Sequence, residues 1–303
     1  MDKIASYKLW PIHDRKKWNQ FIDSCILKLK FTIGYCNICG RIALFLAKNP
    51  LRETCFCSHC HSQNRQRQMA FILLHMINQE KKLGVFSSIR SIDAKFKIWV
   101  TDTISPLATF LRKTLGNNLY MSEFFDEKFE SGAKVNGVLH IDMRNTHFDD
   151  ESLKFILSGD VIEHIPDYHR ALQETYRVLE YGGAHIFTVP FYQHQSIIDR
   201  RAEIIDGELI RHKKDWMHID ALRPEGILCY NVFAPELLCE LEKIGFQSNL
   251  YLIFNPLYGI YGCDGLVIVA KKLRKKLADI DFIFDSSEAK NAGISICNTI
   301  TKK

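Results

Sequence analysis

Residues 157–190 read LSGDVIEHIPDYHRALQETYRVLEYGGAHIFTVP, and the order of features in that stretch decides the fold. Phe155–Ser158 predicts a short buried strand, followed at once by Asp160, Glu163 and His164. Asp167–Leu179 predicts a helix with Ala171, Leu172, Thr175, Val178 and Leu179 on one face. Gly182-Gly183 predicts its exit, since glycine accepts the left-handed conformation that a helix end requires. Ala184–Val189 is the next strand, and Pro190 stops it. In an open α/β sheet, ligands bind beyond the carboxyl ends of the strands, so the acids after the first strand are candidate site residues.

The same grammar extends outward. Lys97–Thr101, Asn118–Ser122 and Gly137–Ile141 predict three earlier strands, with Leu107–Leu115 a helix between the first two. Pro235–Lys243 predicts a late helix, and Ser248–Phe254 and Gly265–Ala270 the closing strands. This alternation predicts a Rossmann-like α/β fold, a mostly parallel sheet with helices on both faces. The chain of 303 residues is 47% hydrophobic and 25% charged, which excludes collagen-like or wholly disordered readings. The net charge of +5 hides an asymmetry: residues 1–95 carry 16 Lys/Arg against 6 Asp/Glu, and the remainder 24 against 29. No secretory signal is recognisable at the start, and no apolar run approaches the ~20 residues of a spanning helix. A cytoplasmic protein with reduced thiols is expected.

The basic front end divides at its cysteines. Residues 1–33 form a basic, aromatic leader, 34–62 a cysteine module, and 63–94 a connecting segment whose amphipathic helix runs from Arg65 to Leu83. The α/β domain then spans 95–272, and 273–303 form a loose polar tail. Cys36-x-x-Cys39 and Cys57-x-x-Cys60 are separated by 17 residues, the spacing of a four-cysteine zinc ribbon. Two such knuckles close a tetrahedron of thiolates around Zn²⁺, leaving no open position, so the ion is structural. His59 lies between two ligands and has to point away. Cys25, Cys55, Cys229, Cys239, Cys263 and Cys297 receive no role. Arg65 and Arg67, directly after the ribbon, suggest either a nucleic-acid footprint or a basic face docked onto the acidic body. Charge alone argues only for non-specific attraction, so nucleic acid is the less favoured partner.

Two motifs carry a resemblance. Asp160-Val161-Ile162-Glu163-His164-Ile165-Pro166 and Arg177-Val178-Leu179-Glu180-Tyr181-Gly182-Gly183 resemble the post-strand-four motif and helix exit of class I S-adenosylmethionine-dependent methyltransferases of the methyltransferase type 11 kind, with tyrosine where proline is usual. The resemblance covers about 95–270. It implies S-adenosylmethionine as cofactor, with Glu123 accepting the ribose hydroxyls, Asp142 meeting the adenine amino group and Met143 packing on the adenine ring. Asp102 would pair with the cofactor's amino group, and Asp160 belongs to the same binding set. The chain departs from the pattern at strand one, where the expected glycines fall near Thr101, Thr103 and Ser105. That departure leaves open a different loop path, weaker cofactor binding or a lost activity. A zinc-ribbon-fused subgroup associated with glycan and cell-surface biosynthesis shares Ser122-Glu123, 185–191 and the stretch around His218-Ile219-Asp220.

Three functions follow as expectations. The first is methyl transfer to a small molecule, sugar or glycan, with His164 as general base and His218, next to Asp220, as second candidate. Tyr192, His194 and Arg200 fall where acceptor loops lie. The second is a non-catalytic methyltransferase-like binding protein. The third is an RNA methyltransferase whose ribbon and arginines hold the substrate.

Overall fold

The computed structural model describes residues 21, 23–80, 86–92, 95–192, 194–219, 223–262 and 265–273. The leader before residue 21, the tail after 273, the end of the predicted connecting helix at 81–83 and Asp220 lie outside them, as do Cys263 and Cys297.

An eight-stranded sheet organises the body. Its strands are β4 (Ile98–Val100), β5 (Leu119–Glu123), β6 (Lys134–Val135), β7 (Val138–His140), β8 (Leu153–Gly159), β9 (Leu179–Thr188), β16 (Phe246–Leu252) and β17 (Leu266–Lys272). They lie in the order β16-β17-β9-β8-β4-β5-β7-β6. The pairs β7–β5, β5–β4, β4–β8 and β8–β9 are parallel, whereas β6, β17 and β16 enter antiparallel. The fold is therefore Rossmann-like, with a mostly parallel sheet.

The pleat sorts the core into two layers, because successive strand residues face opposite sides. Phe155 and Leu157 on β8 turn to one face with Ile98, Val100, Ile186 and Val267. There they meet α1 (Asn64–Glu80), α2 (Pro106–Leu115) and the cysteine module. Ile156 turns to the other face with Trp99, Phe187 and Ile268, under α3 (Tyr168–Val178) and α4 (Glu236–Ile244). Helix starts follow local chemistry. Ser105 accepts the Ala108 amide ahead of Pro106 in α2, and Asp167 accepts the Arg170 amide in α3, each satisfying an otherwise orphaned donor.

One expectation fails locally. Helix α3 ends at Val178, and Leu179 is already extended. Gly182-Gly183 thus lies inside β9, where the pairing with β8 shifts register between Leu153 and Phe155. Gly182 takes φ +80°, and a Cβ on Gly183 would sit 2.7 Å from the Lys154 carbonyl oxygen. The glycines serve a strand irregularity and a close backbone approach, not a helix exit.

The cysteine module is a three-stranded antiparallel sheet of β1 (Phe31–Cys36), β2 (Arg41–Leu46) and β3 (Phe56–Cys57). It is not a separate bead with its own small core. Cys36, Ile38, Phe45 and Cys57 join the same buried cluster as β4, β8 and β17. Arg67 of α1 is completely buried. Its guanidinium donates to the carbonyls of Ser62, Cys55 and Gly259 and lies 4.4 Å over the Phe45 ring. Arg67 therefore docks inward and presents nothing to a nucleic acid.

Replacing Arg67 with Met takes the guanidinium donor from the buried carbonyls of Cys55 and Gly259, at roughly 1–3 kcal/mol each, while the Ser62 carbonyl keeps the Cys57 amide. Urea unfolding should therefore show a loss of at least about 2 kcal/mol. A second outcome concerns pH. His185 on β9 is fully buried, bonded through Nε2 to Ser158 Oγ at 2.7 Å, and burial pushes its pKa down to about 3. The neutral ring is favoured in the folded state, so its contribution is complete above about pH 6.5 and lost as pH falls toward 3. Unfolding free energy should decline by up to about 1.4 kcal/mol per pH unit across that window. His185→Gln should flatten the decline between about pH 6 and 4.

Candidate functional site

A cleft of about 1110 Å³ opens at the carboxyl ends of β4, β5, β7 and β8. That exceeds the ~300–1,000 Å³ of ordinary ligand pockets, leaving room for a cofactor and an acceptor together. Glu123, Asp142, Met143, Asp160, His164 and His218 all line it. Six residues singled out in sequence therefore converge on one space.

The loop after β4 explains its lack of glycine. No residue from Thr101 to Ser105 takes a positive φ, so no position there demands one. The loop closes on its own side chains instead. Asp102 Oδ1 accepts the amides of Ile104 and Ser105 at 2.9 and 2.7 Å. Thr103 donates through its amide and its hydroxyl to Glu123 Oε1 at 2.8 and 2.7 Å. Asp102 thus shapes the loop and is not among the residues lining the cleft. Glu123 ends β5 and ties that strand to the loop. At the end of β7, Asp142 accepts the backbone amide and the guanidinium of Arg144. Burial opposes its charge, but the Arg144 bonds prevail and hold its carboxyl below the ordinary value. Met143 and Ile141, both buried, form the apolar wall beside it.

Asp160 has a different setting. It follows β8 with φ +55°, and its carboxylate meets two arginines from outside the α/β domain. Arg52 makes a two-pronged pair with it at 2.6 and 2.9 Å, and Arg65 approaches at 2.8 Å. Thr188 on β9 adds a hydroxyl at 2.9 Å. Burial opposes the charge, but the Arg65 and Arg52 guanidinium groups hold the carboxyl well below the usual range. Glu53 pairs with the same two arginines. Arg52 and Arg65 line the cleft as well, so the cysteine module and α1 form one wall of it.

Also on the cleft, His164 and His218 cross edge to face with centroids 5.0 Å apart. His164 sits in the short turn 162–164 after β8. His218 lies on β13 (Met217–His218), which pairs with β14 (Ile227–Leu228) and so brings Cys229 alongside. Glu163, completely buried, places Oε1 3.3 Å from His218 Nδ1 and 3.8 Å from His164 Nε2. Burial pushes the Glu163 carboxyl up to about 7, against the pull of His218. Burial works against charge on His218 too, but Glu163 raises its pKa overall. Cys229, also buried, has its thiol pushed up to about 12. Tyr192 and Trp216 also line the cleft, whereas His194 and Arg200 are not among the lining residues.

The four predicted cysteines converge. Cys36 Sγ lies 3.7 Å from Cys60 Sγ, Cys39 Sγ lies 3.9 Å from Cys57 Sγ, and all four sulfurs fall within 4.8 Å of one another. A tetrahedron with Zn–S bonds of about 2.3 Å has edges of about 3.8 Å, so the donor set fits a zinc ion. His59 turns away and bonds the Ile42 carbonyl through Nε2.

Arg52 and Cys229 are residues of the site that sequence reasoning missed, whereas Glu163 was named as an acid after the strand. Arg52 and Cys229 carry no spacing signal, because their partners are distant in sequence.

Residues 106–187 match the family model described as a methyltransferase domain. No curated protein matches the chain. Among solved structures, the chain is similar to an S-adenosylmethionine-dependent methyltransferase from Mesorhizobium loti, at 15% identity over 58% of this chain and 91% of that one, TM-score 0.36. It is also similar to one from Methanosarcina mazei, at 14% identity over 61% and 95%, TM-score 0.35. A third is the Burkholderia thailandensis 1,6-didemethyltoxoflavin-N1-methyltransferase, solved with 1,6-didemethyltoxoflavin and S-adenosylhomocysteine, at 13% identity over 69% and 78%, TM-score 0.38.

The pair of arginines on Asp160 gives a contrast that can be measured. Asp160→Asn leaves two largely buried cations facing a neutral amide and should lower unfolding free energy by about 3–5 kcal/mol. Thr188→Val removes one hydrogen bond from the same carboxylate and should cost only about 1 kcal/mol. Urea denaturation of the two variants checks both figures.

Proposed function

We propose that this chain, whose residues 106–187 match the methyltransferase domain, is an S-adenosylmethionine-dependent methyltransferase with a structural zinc ion in its cysteine module. The observation that carries the reading is the convergence of Glu123, Asp142 and Met143, from successive strand ends, on one cleft. Glu123 would take the ribose hydroxyls, as an acceptor-only group. Asp142 would receive the adenine amino group, and Met143 and Ile141 would pack against the ring. When bound, the cofactor supplies a methyl group made electrophilic by its sulfonium centre. Asp102 and Asp160 act indirectly, the first by shaping the loop after β4 and the second by holding the end of β8 against Arg52 and Arg65.

A small molecule, sugar or glycan is the favoured acceptor class, entering between Tyr192, Trp216 and the histidine pair. Positioning the acceptor in line with the methyl group carries much of such a reaction. Where the acceptor is a hydroxyl, His164 or His218 can hold its proton, with Glu163 strengthening His218 as a base. The burial of Arg67 removes the main support for an RNA substrate.

Calorimetry on zinc-loaded protein tests the reading. S-adenosylmethionine and S-adenosylhomocysteine should both bind the wild type. Glu123→Ala should weaken binding by roughly 10- to 100-fold, the equivalent of about 1.5–3 kcal/mol for hydrogen bonds to a charged group. No heat with either ligand on folded wild type would sink the proposal.

A further inference from the structure

The sulfur-rich module is one place where this chain gathers metal-ligating atoms; the acceptor side of the cleft is another. His164, His218 and Cys229 present ligand atoms within 4.8 Å of one another. We propose that these three residues, with Glu163 beside them, form a second metal site that binds a divalent zinc-like ion and keeps a coordination position open to the cleft.

Three further observations support the site. First, His164 Nδ1 lies 2.8 Å from the Leu228 carbonyl oxygen. A carbonyl can only accept, so Nδ1 carries the proton and the lone pair is on Nε2. A backbone carbonyl on the second ring nitrogen is the usual support for a metal-bound histidine, because it fixes both the tautomer and the ring plane.

Second, Glu163 is completely buried, and among the described residues its carboxylate oxygens find no hydrogen-bond partner of good geometry, only the two imidazoles as ion-pair neighbours. A buried carboxyl faced only by two imidazoles is costly, and a cation beside it would lower the cost. Its Oε1 is 3.3 and 3.8 Å from the two histidine nitrogens.

Third, the donor chemistry is selective. Two imidazoles and one sulfur, with a carboxylate near by, suit zinc rather than magnesium or calcium, which prefer all-oxygen shells. Three protein ligands also leave a position open, unlike the four thiolates of the module. His164 and His218 line the cleft while Glu163 and Cys229 are buried, so that position faces an acceptor. The ligand class it selects is an oxygen or sulfur donor: a hydroxyl, a thiol or a carboxylate. Such an ion does not require S-adenosylmethionine; with the ion bound, His164 and His218 serve as ligands in place of the proton-holding role given them above.

Metal analysis of full-length protein, expressed with zinc and dialysed against metal-free buffer, provides the test. Wild type should hold two equivalents per chain, and Cys229→Ser or the His164→Ala/His218→Ala pair should hold one. The equivalent retained by the four-cysteine module, with an unchanged circular dichroism spectrum, shows that the variants are folded. Glu163→Gln, of nearly the same shape, should weaken the second equivalent by about 10- to 100-fold in a zinc titration against a chelator. One equivalent in wild type, with no further uptake of added zinc, overturns the site. So does a second equivalent that survives the histidine and cysteine substitutions in folded protein.

Discussion

One carboxylate, Asp160, holds two parts of this protein together. It sits where β8 ends, and it receives Arg52 from the cysteine module and Arg65 from the start of α1. Removing one partner from a buried ion pair leaves an uncompensated charge, which is why such a contact is specific as well as adhesive. Arg52 and Arg65, both lining the cleft, are fixed by that contact. The cysteine module therefore serves as part of the site's architecture and not as an appendage.

Much of this was legible in the sequence. The strand–helix alternation from 155 to 189 gave the sheet, because burial on both faces leaves a simple apolar pattern. The Cys36/Cys39 and Cys57/Cys60 spacings gave the cluster, because two knuckles place sulfurs through local geometry alone. Glu123 and Asp142 were singled out by the family resemblance laid onto strand ends, and both line the same cleft.

What was not legible depended on long-range docking. Nothing near Arg52 indicates that its partner lies 108 positions away. The excess charge of residues 1–95 looked like a surface property; in part it is interior, spent on carbonyls and on Asp160. Gly182-Gly183 misled because glycine after a helix commonly ends it, whereas here Gly183 is needed where two backbones approach closely. Cys229 gained a setting only from the β13–β14 pairing, which no periodicity announced.

The contacts of α1 carry a consequence for the order in which the chain can assemble. Asn64 and Arg67 are satisfied by the backbone at Tyr261 and Gly259, and Gly34 and Phe45 pack against Leu257 and Gly259. The module written first is thus completed by segments written nearly two hundred residues later. During synthesis its cysteines emerge long before the surface that buries them, and folding must wait for closure of a very large loop. A chain with so many distant contacts is expected to fold slowly. Its front end is exposed for the whole interval, with the thiols available and Arg67 still in water.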